Sequence, residues 1–104
     1  MCKAYFCYEI AEESQKEYLK FVSEELKPFF ESRGASSYNI YQDTNPDKPT
    51  TFIAEMVFDD LDSMQKTVGL HGKDPAEYKT MLERFFSFTN SSGVKPLGRY
   101  VKLI

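Results

Sequence analysis

The chain has 104 residues, 41% of them apolar, 28% charged and 15% aromatic, with nine Phe, seven Tyr and no Trp. That length suits a single domain with a small core, and the mixture excludes a disordered chain, a fibre and a disulfide scaffold. The formal net charge is −3, the wrong sign for a protein that lives on phosphate backbones or on an anionic membrane surface.

Residues 3–10 read as a strand, with Ala4, Phe6, Tyr8 and Ile10 on one face and Tyr5, Cys7 and Glu9 on the other. The two cysteines, Cys2 and Cys7, lie about 16 Å apart along it and on opposite faces, so they cannot pair with each other. Two reduced thiols are expected. With a single His in the chain they also fall short of a structural zinc site, and no metal or other cofactor is expected. The N-terminal residues run straight into this strand without a signal-peptide layout. No window approaches the ~20 apolar residues that span a bilayer. A cytoplasmic protein with no membrane partner is the expectation.

Residues 12–33 read as a long amphipathic helix, its stripe formed by Tyr18, Val22, Leu26 and Phe29, widened by Leu19 and Phe30. Gly34 suits its C-terminal cap. Pro28 removes one backbone bond and predicts a kink near Glu24. A strand over 36–43 follows, with Tyr38 and Ile40 alternating against Asn39 and Tyr41. A proline-rich turn leads to a strand over 50–58, where Phe52, Ala54, Met56 and Phe58 alternate with Ile53, Glu55 and Val57. A short helix capped by Asp59 or Asp60 runs to Val68, and Gly69-Leu70-His71-Gly72-Lys73 breaks it. Asp74-Pro75-Ala76-Glu77 then carries the Asp cap, Pro at N1 and Glu at N3 of a new start. Tyr78, Met81, Leu82, Phe85 and Phe86 give that helix a full apolar stripe. Residues 97–103 close as a strand.

The order is β-α-β-β-α-β with the second helix broken: an α+β, ferredoxin-like antiparallel sheet in one domain, 1–104. Two helices can cover only one side of such a sheet. The other side would carry Tyr5, Cys7, Glu9, Tyr41, Ile53, Glu55, Val57 and Tyr100, too aromatic for a wet surface and too polar for a core. Patches of that kind mark interfaces, and a symmetric homodimer through the sheet face is the expected partner.

The length, the element order, the TFIAEMVFDDLDSM segment and the His-containing break before DPAEYKTMLERF together resemble the dimeric α+β barrel superfamily. Within it, the antibiotic-biosynthesis-monooxygenase-like and EthD-like groups are nearest. The resemblance covers nearly the whole chain. The family's strand often ends in an acidic-x-Trp sequence followed by two His; here Phe58 takes the aromatic place, Thr67 stands at the first His and His71 lies near the second. The resemblance implies a pocket between the second helix and the sheet, lined by Phe6, Tyr8, Phe52, Phe58, His71, Tyr78, Leu82 and Phe85. It also implies a small apolar or aromatic metabolite as ligand and either cofactor-independent monooxygenase or isomerase chemistry.

His71 is the one side chain that titrates near neutral pH unaided, and with Tyr78 it is the candidate catalytic pair. Glu9 and Glu55 share a face; buried together, one would be driven to a raised pKa, while ion pairing to Lys102 or Arg99 would leave them structural. Two other readings stand beside the metabolite-binding one. The first is a non-catalytic dimerisation module. The second is a KH-like nucleic-acid clamp through Gly69–Gly72, which the acidic charge disfavours. An RRM-like use of Phe52, Met56 and Phe58 as stacking residues would put them on the face that the helices need.

Overall fold

A computed structural model of the chain describes residues 1–68, 76–89 and 93–104. Strand β1 spans Cys2–Glu9, β2 Ser37–Gln42, β3 Thr51–Phe58 and β4 Lys95–Val101, and every neighbouring pair is antiparallel in the order β2-β3-β1-β4. This is the α+β ferredoxin-like sheet that the alternating pattern predicts. The first crossover contains a 3₁₀ turn (Glu12–Ser14), α1 (Gln15–Phe21), a π-helical stretch (Val22–Leu26) and α2 (Lys27–Glu31). The second contains α3 (Leu61–Val68) and α4 (Ala76–Thr89).

The π-helical stretch explains how Pro28 is housed. Proline has no N–H for the carbonyl four residues back, and its ring crowds that carbonyl. The Lys27 amide instead donates to the Val22 carbonyl, five residues back. The kink expected near Glu24 is thus a π turn rather than a break. Gly34, at φ +117°, ends the helical run, and the Ala35 amide donates back to the Phe30 carbonyl at 3.1 Å. Asp60 starts α3, its Oδ1 accepting from the Ser63 amide at 2.8 Å.

Alternation fixes which side of the sheet the helices cover. Ala4, Tyr8, Ile10, Tyr38, Phe52, Ala54, Met56 and Phe58 are buried against Tyr18, Phe21, Leu26, Phe29, Phe30, Tyr78 and Phe85, with Phe6 and Ile40 packed at the margin. Phe52, Met56 and Phe58 therefore point into the core, where no base could stack on them. Cys2 is buried on the helix side and Cys7 half-buried on the other, both as free thiols.

Strand β4 carries one irregularity. Tyr5 pairs with Gly98 but Phe6 pairs with Pro96, so Leu97 is an extra residue bulging from the edge strand. Pro96 has no amide for the ladder and is tolerated because β4 lies at the edge. At Gly98, φ is +152°, and a Cβ there would run into the Tyr100 ring folded back over it.

Candidate functional site

Helix α4 does not close completely onto the sheet. Between them, and against the π-helical turn, lies a cavity of about 250 Å³. Its wall includes Phe6, Tyr8, Tyr38, Ala54 and Met56 from the sheet, Leu26 and Phe30 from the first crossover, and Tyr78, Leu82 and Phe85 from α4. Phe86, Val94 and Pro96 complete it. Phe86 and Pro96 are exposed and Val94 half-buried, which places the mouth between α4 and the start of β4. The volume falls slightly under the ~300 Å³ at which small-molecule pockets usually begin. Yet an apolar cavity of about 150 Å³ already takes a benzene-sized molecule.

Of the residues expected to line such a pocket, Phe6, Tyr8, Tyr78, Leu82 and Phe85 are in the wall. Phe52 and Phe58 are not: they are packed solid in the core, Phe52 stacked beside Tyr8 at 6.4 Å and edge-on to Tyr18 at 5.9 Å. Strand alternation puts them on the correct face but does not say which positions along the strand lie under the gap. His71 and the whole Gly69–Gly72 segment lie outside the described residues. Thr67, at the position where the family often has His, is buried, and its hydroxyl donates to the Arg33 carbonyl at 3.1 Å. It ties α3 to the end of the first crossover and does not reach the cavity wall.

Among the described residues, every polar group in the wall is a tyrosine, and no charged side chain contributes to it. The Tyr8 and Tyr18 hydroxyls hydrogen-bond to each other in the interior. Burial drives both phenols well above the usual range, so both stay neutral. Tyr38 is 3% exposed. Its amide donates to Glu31 Oε2 at 3.1 Å, its carbonyl accepts from Lys27 Nζ at 2.8 Å, and its ring stacks on Phe30 at 5.0 Å. Its hydroxyl has no hydrogen-bond partner among the described residues. Leu26, Phe30 and Tyr38 were not expected at a pocket. For Tyr38 the available signal was a phenol in the apolar phase of β2, where an aliphatic residue would fill the space without a polar atom.

The opposite face of the sheet is organised around Glu55. The register places Tyr5 directly across from it on β1 and Asn39 directly across on β2. Tyr5 Oη donates to Glu55 Oε2 at 2.6 Å, Asn39 Nδ2 to Oε1 at 3.0 Å and Tyr41 Oη to Oε1 at 3.2 Å, while Lys3 Nζ stands 3.5 Å from Oε2. Burial pushes the Glu55 carboxyl up, but the hydrogen bonds from Tyr5, Asn39 and Tyr41 and the Lys3 charge outweigh it, and its pKa falls below the usual carboxylate value. The same contact holds the Tyr5 phenol at about 12, through its hydrogen bond to Glu55, then burial and the carboxylate charge. The Tyr100 ring packs at 5.9 Å from that of Tyr5.

Glu9 takes no part in this cluster. It pairs with Thr51 in the register, four residues or about 13 Å along the strand from the Tyr5–Glu55 pair, and accepts from the Thr50 and Thr51 hydroxyls. The two glutamates are not a coupled acid pair, and Glu55 is held by Lys3 rather than by Lys102 or Arg99.

Among the described residues, no group of His, Cys, Asp and Glu could hold a metal ion, and no helix is long and apolar enough to cross a membrane.

No family profile matches this chain, and no curated protein matches it. Solved structures do. A candidate antibiotic biosynthesis monooxygenase from Deinococcus radiodurans superposes with a TM-score of 0.71 at 14% identity, over 100% of this chain and 94% of that one. A dimeric ferredoxin-like protein from an uncultured marine organism gives 0.68 at 18% identity, over 99% and 94%. A variant of SnoaB, a cofactor-independent oxygenase from Streptomyces nogalater, gives 0.65 at 14% identity, over 97% and 91%. The chain thus has the ferredoxin-like fold of the antibiotic-biosynthesis-monooxygenase-like proteins along its whole length.

Proposed function

We propose that this is a small-molecule-binding protein that takes an apolar or aromatic metabolite into the cavity between α4 and the sheet, and that it works as a homodimer through the open sheet face in the cytoplasm. The observation that carries the binding reading is the cavity itself: a well-packed domain has few voids larger than a water molecule, and this one is ringed by aromatic side chains and opens at Phe86 and Pro96. Cofactor-independent oxygenation of an electron-rich aromatic is the activity to test first, because SnoaB, a neighbour in fold, is a cofactor-independent oxygenase. In that reading Tyr78 serves from the wall and His71 carries the proton.

The binding reading is tested with a hydrocarbon probe. Tetralin titrated into the protein should give saturable shifts in the methyl spectrum at Met56, Leu82 and Val94, which line the cavity, and Leu82→Trp, which fills the cavity, should abolish them. Absence of saturable binding to the wild-type protein sinks the reading.

The open face supports self-association. Tyr41 and Tyr100 are 52% and 55% exposed there, while the charge beneath them is already neutralised within the protomer by the Lys3–Glu55 pair. Such a surface can meet its own copy without bringing two bare carboxylates together. Ile53→Asp or Tyr100→Asp should convert a dimer into a monomer in sedimentation; a dimer that survives both places the interface elsewhere. A protein that dimerises through this face yet fails the tetralin test would be the non-catalytic dimerisation module.

A further inference from the structure

We propose that the cavity is built for an uncharged ligand with one carbonyl oxygen, which accepts a hydrogen bond from the Tyr38 hydroxyl. The inference rests on the cavity being a ligand site and says what kind of molecule it selects. Tyr38 is 3% exposed and lines the cavity, and its hydroxyl has no partner among the described residues. A buried donor left unmade is costly, and structures rarely carry one without a reason. The phenol cannot discharge that cost by ionising, because burial holds it far into its neutral form. A ligand acceptor oxygen can.

Tyr8 offers a second donor to the same space. In the Tyr8–Tyr18 pair either oxygen can accept, and the acceptor keeps its own hydrogen. With Tyr18 donating, the spare hydrogen belongs to Tyr8, which is in the cavity wall. A carbonyl oxygen has two lone pairs and suits two such phenols. A carboxylate does not, because none of the described lining residues is cationic, and an anion entering an aromatic cavity loses hydration without a countercharge.

The experiment compares three probes of one size: tetralin, 1-tetralone and 1-naphthoate. Wild-type protein should bind 1-tetralone about tenfold or more tightly than tetralin and 1-naphthoate more weakly than either. The carbonyl stretch of bound 1-tetralone should move to lower frequency. Tyr38→Phe should erase the preference for the ketone, cancel the stretch shift and leave tetralin binding in place. The melting temperature of the free Tyr38→Phe protein should hold or rise, since the hydroxyl removed has no partner among the described residues. Equal affinity of the wild type for ketone and hydrocarbon overturns the inference and leaves the binding reading standing, as does tight binding of 1-naphthoate. A lower melting temperature for the variant also overturns it, by revealing a protein partner for the hydroxyl. If no probe binds, the binding reading fails and this inference with it.

Discussion

The two faces of the sheet use the same residue types for opposite ends. On the helix side, tyrosines, phenylalanines and aliphatics pack the core, and the Tyr8 and Tyr38 phenols in the cavity wall are neutral groups around an apolar space. On the open side, Tyr5 and Tyr41 point their hydroxyls inwards at one carboxylate and leave their rings to form the surface. The difference is not composition but what each phenol can reach. A charged acceptor at the centre of the open face turns its tyrosines into a fixed platform, whereas none of the described residues lining the cavity carries a charge to organise the phenols there.

Substitutions can break each half of that contrast. Phe58→Ala, on the helix side, removes a fully buried ring and should cost about 3–5 kcal/mol in urea unfolding. Glu55→Ala, on the open side, strands the donors of Tyr5, Asn39 and Tyr41 and should cost about 1–3 kcal/mol. If Glu55→Ala proved as damaging as Phe58→Ala, the open face would be a second core rather than a platform. Acid sharpens the point. Glu55 has a folded pKa below its ordinary value of 4.5, so the stability it contributes is present above about pH 4.5 and drains away as pH falls through the lowered value. In Glu55→Gln, part of the loss of stability between about pH 4.5 and the lowered pKa should disappear from a pH series of unfolding curves.

Smaller effects belong to the edges. Gly98→Ala meets both a left-handed backbone and the Tyr100 ring, and a loss of about 1 kcal/mol or more is expected in thermal unfolding, together with displacement of Tyr100. Arg84 pairs with Glu25 through two nitrogens, with Nη2 to Oε2 at 2.6 Å, and lies over the Phe21 ring at 4.7 Å. Arg84→Ala should lower the thermal unfolding midpoint only slightly because the pair is exposed, and that difference should shrink further at high salt.

The fold was legible because it depends on periodicity. Even-numbered residues from Ala4 to Ile10 and from Phe52 to Phe58 announce a buried face, and Asp60 announces a helix start. What periodicity cannot supply is register. Glu55 could be recognised as facing away from the helices, but that Tyr5 and Asn39 lie directly across from it depends on how three strands are aligned. That Lys3 is the counter-ion of Glu55 depends on the same alignment. The cavity was legible only in part. Tyr78, Leu82 and Phe85 have the spacing of a core stripe whether they pack against a neighbour or leave a gap, and a gap is a property of volumes summed over several elements. This is why Phe52 and Phe58 were expected at the pocket and Tyr38 was not.

The π turn at Val22–Leu26 has a consequence for the angular phase of the first crossover. From Tyr18 to Phe30 is twelve residues, and at 100° each an unbroken α-helix would leave these two side chains about 120° apart around the axis. One residue absorbed in the wider turn reduces that to about 20°. Tyr18, Val22, Leu26 and Phe30 are all buried, and Leu26 and Phe30 both reach the cavity wall while Tyr18 holds the Tyr8 hydroxyl. The chain thus carries one more residue here than a straight helix would need, and the surplus acts as a gear tooth: it keeps the two ends of the crossover meshed with the same face of the sheet.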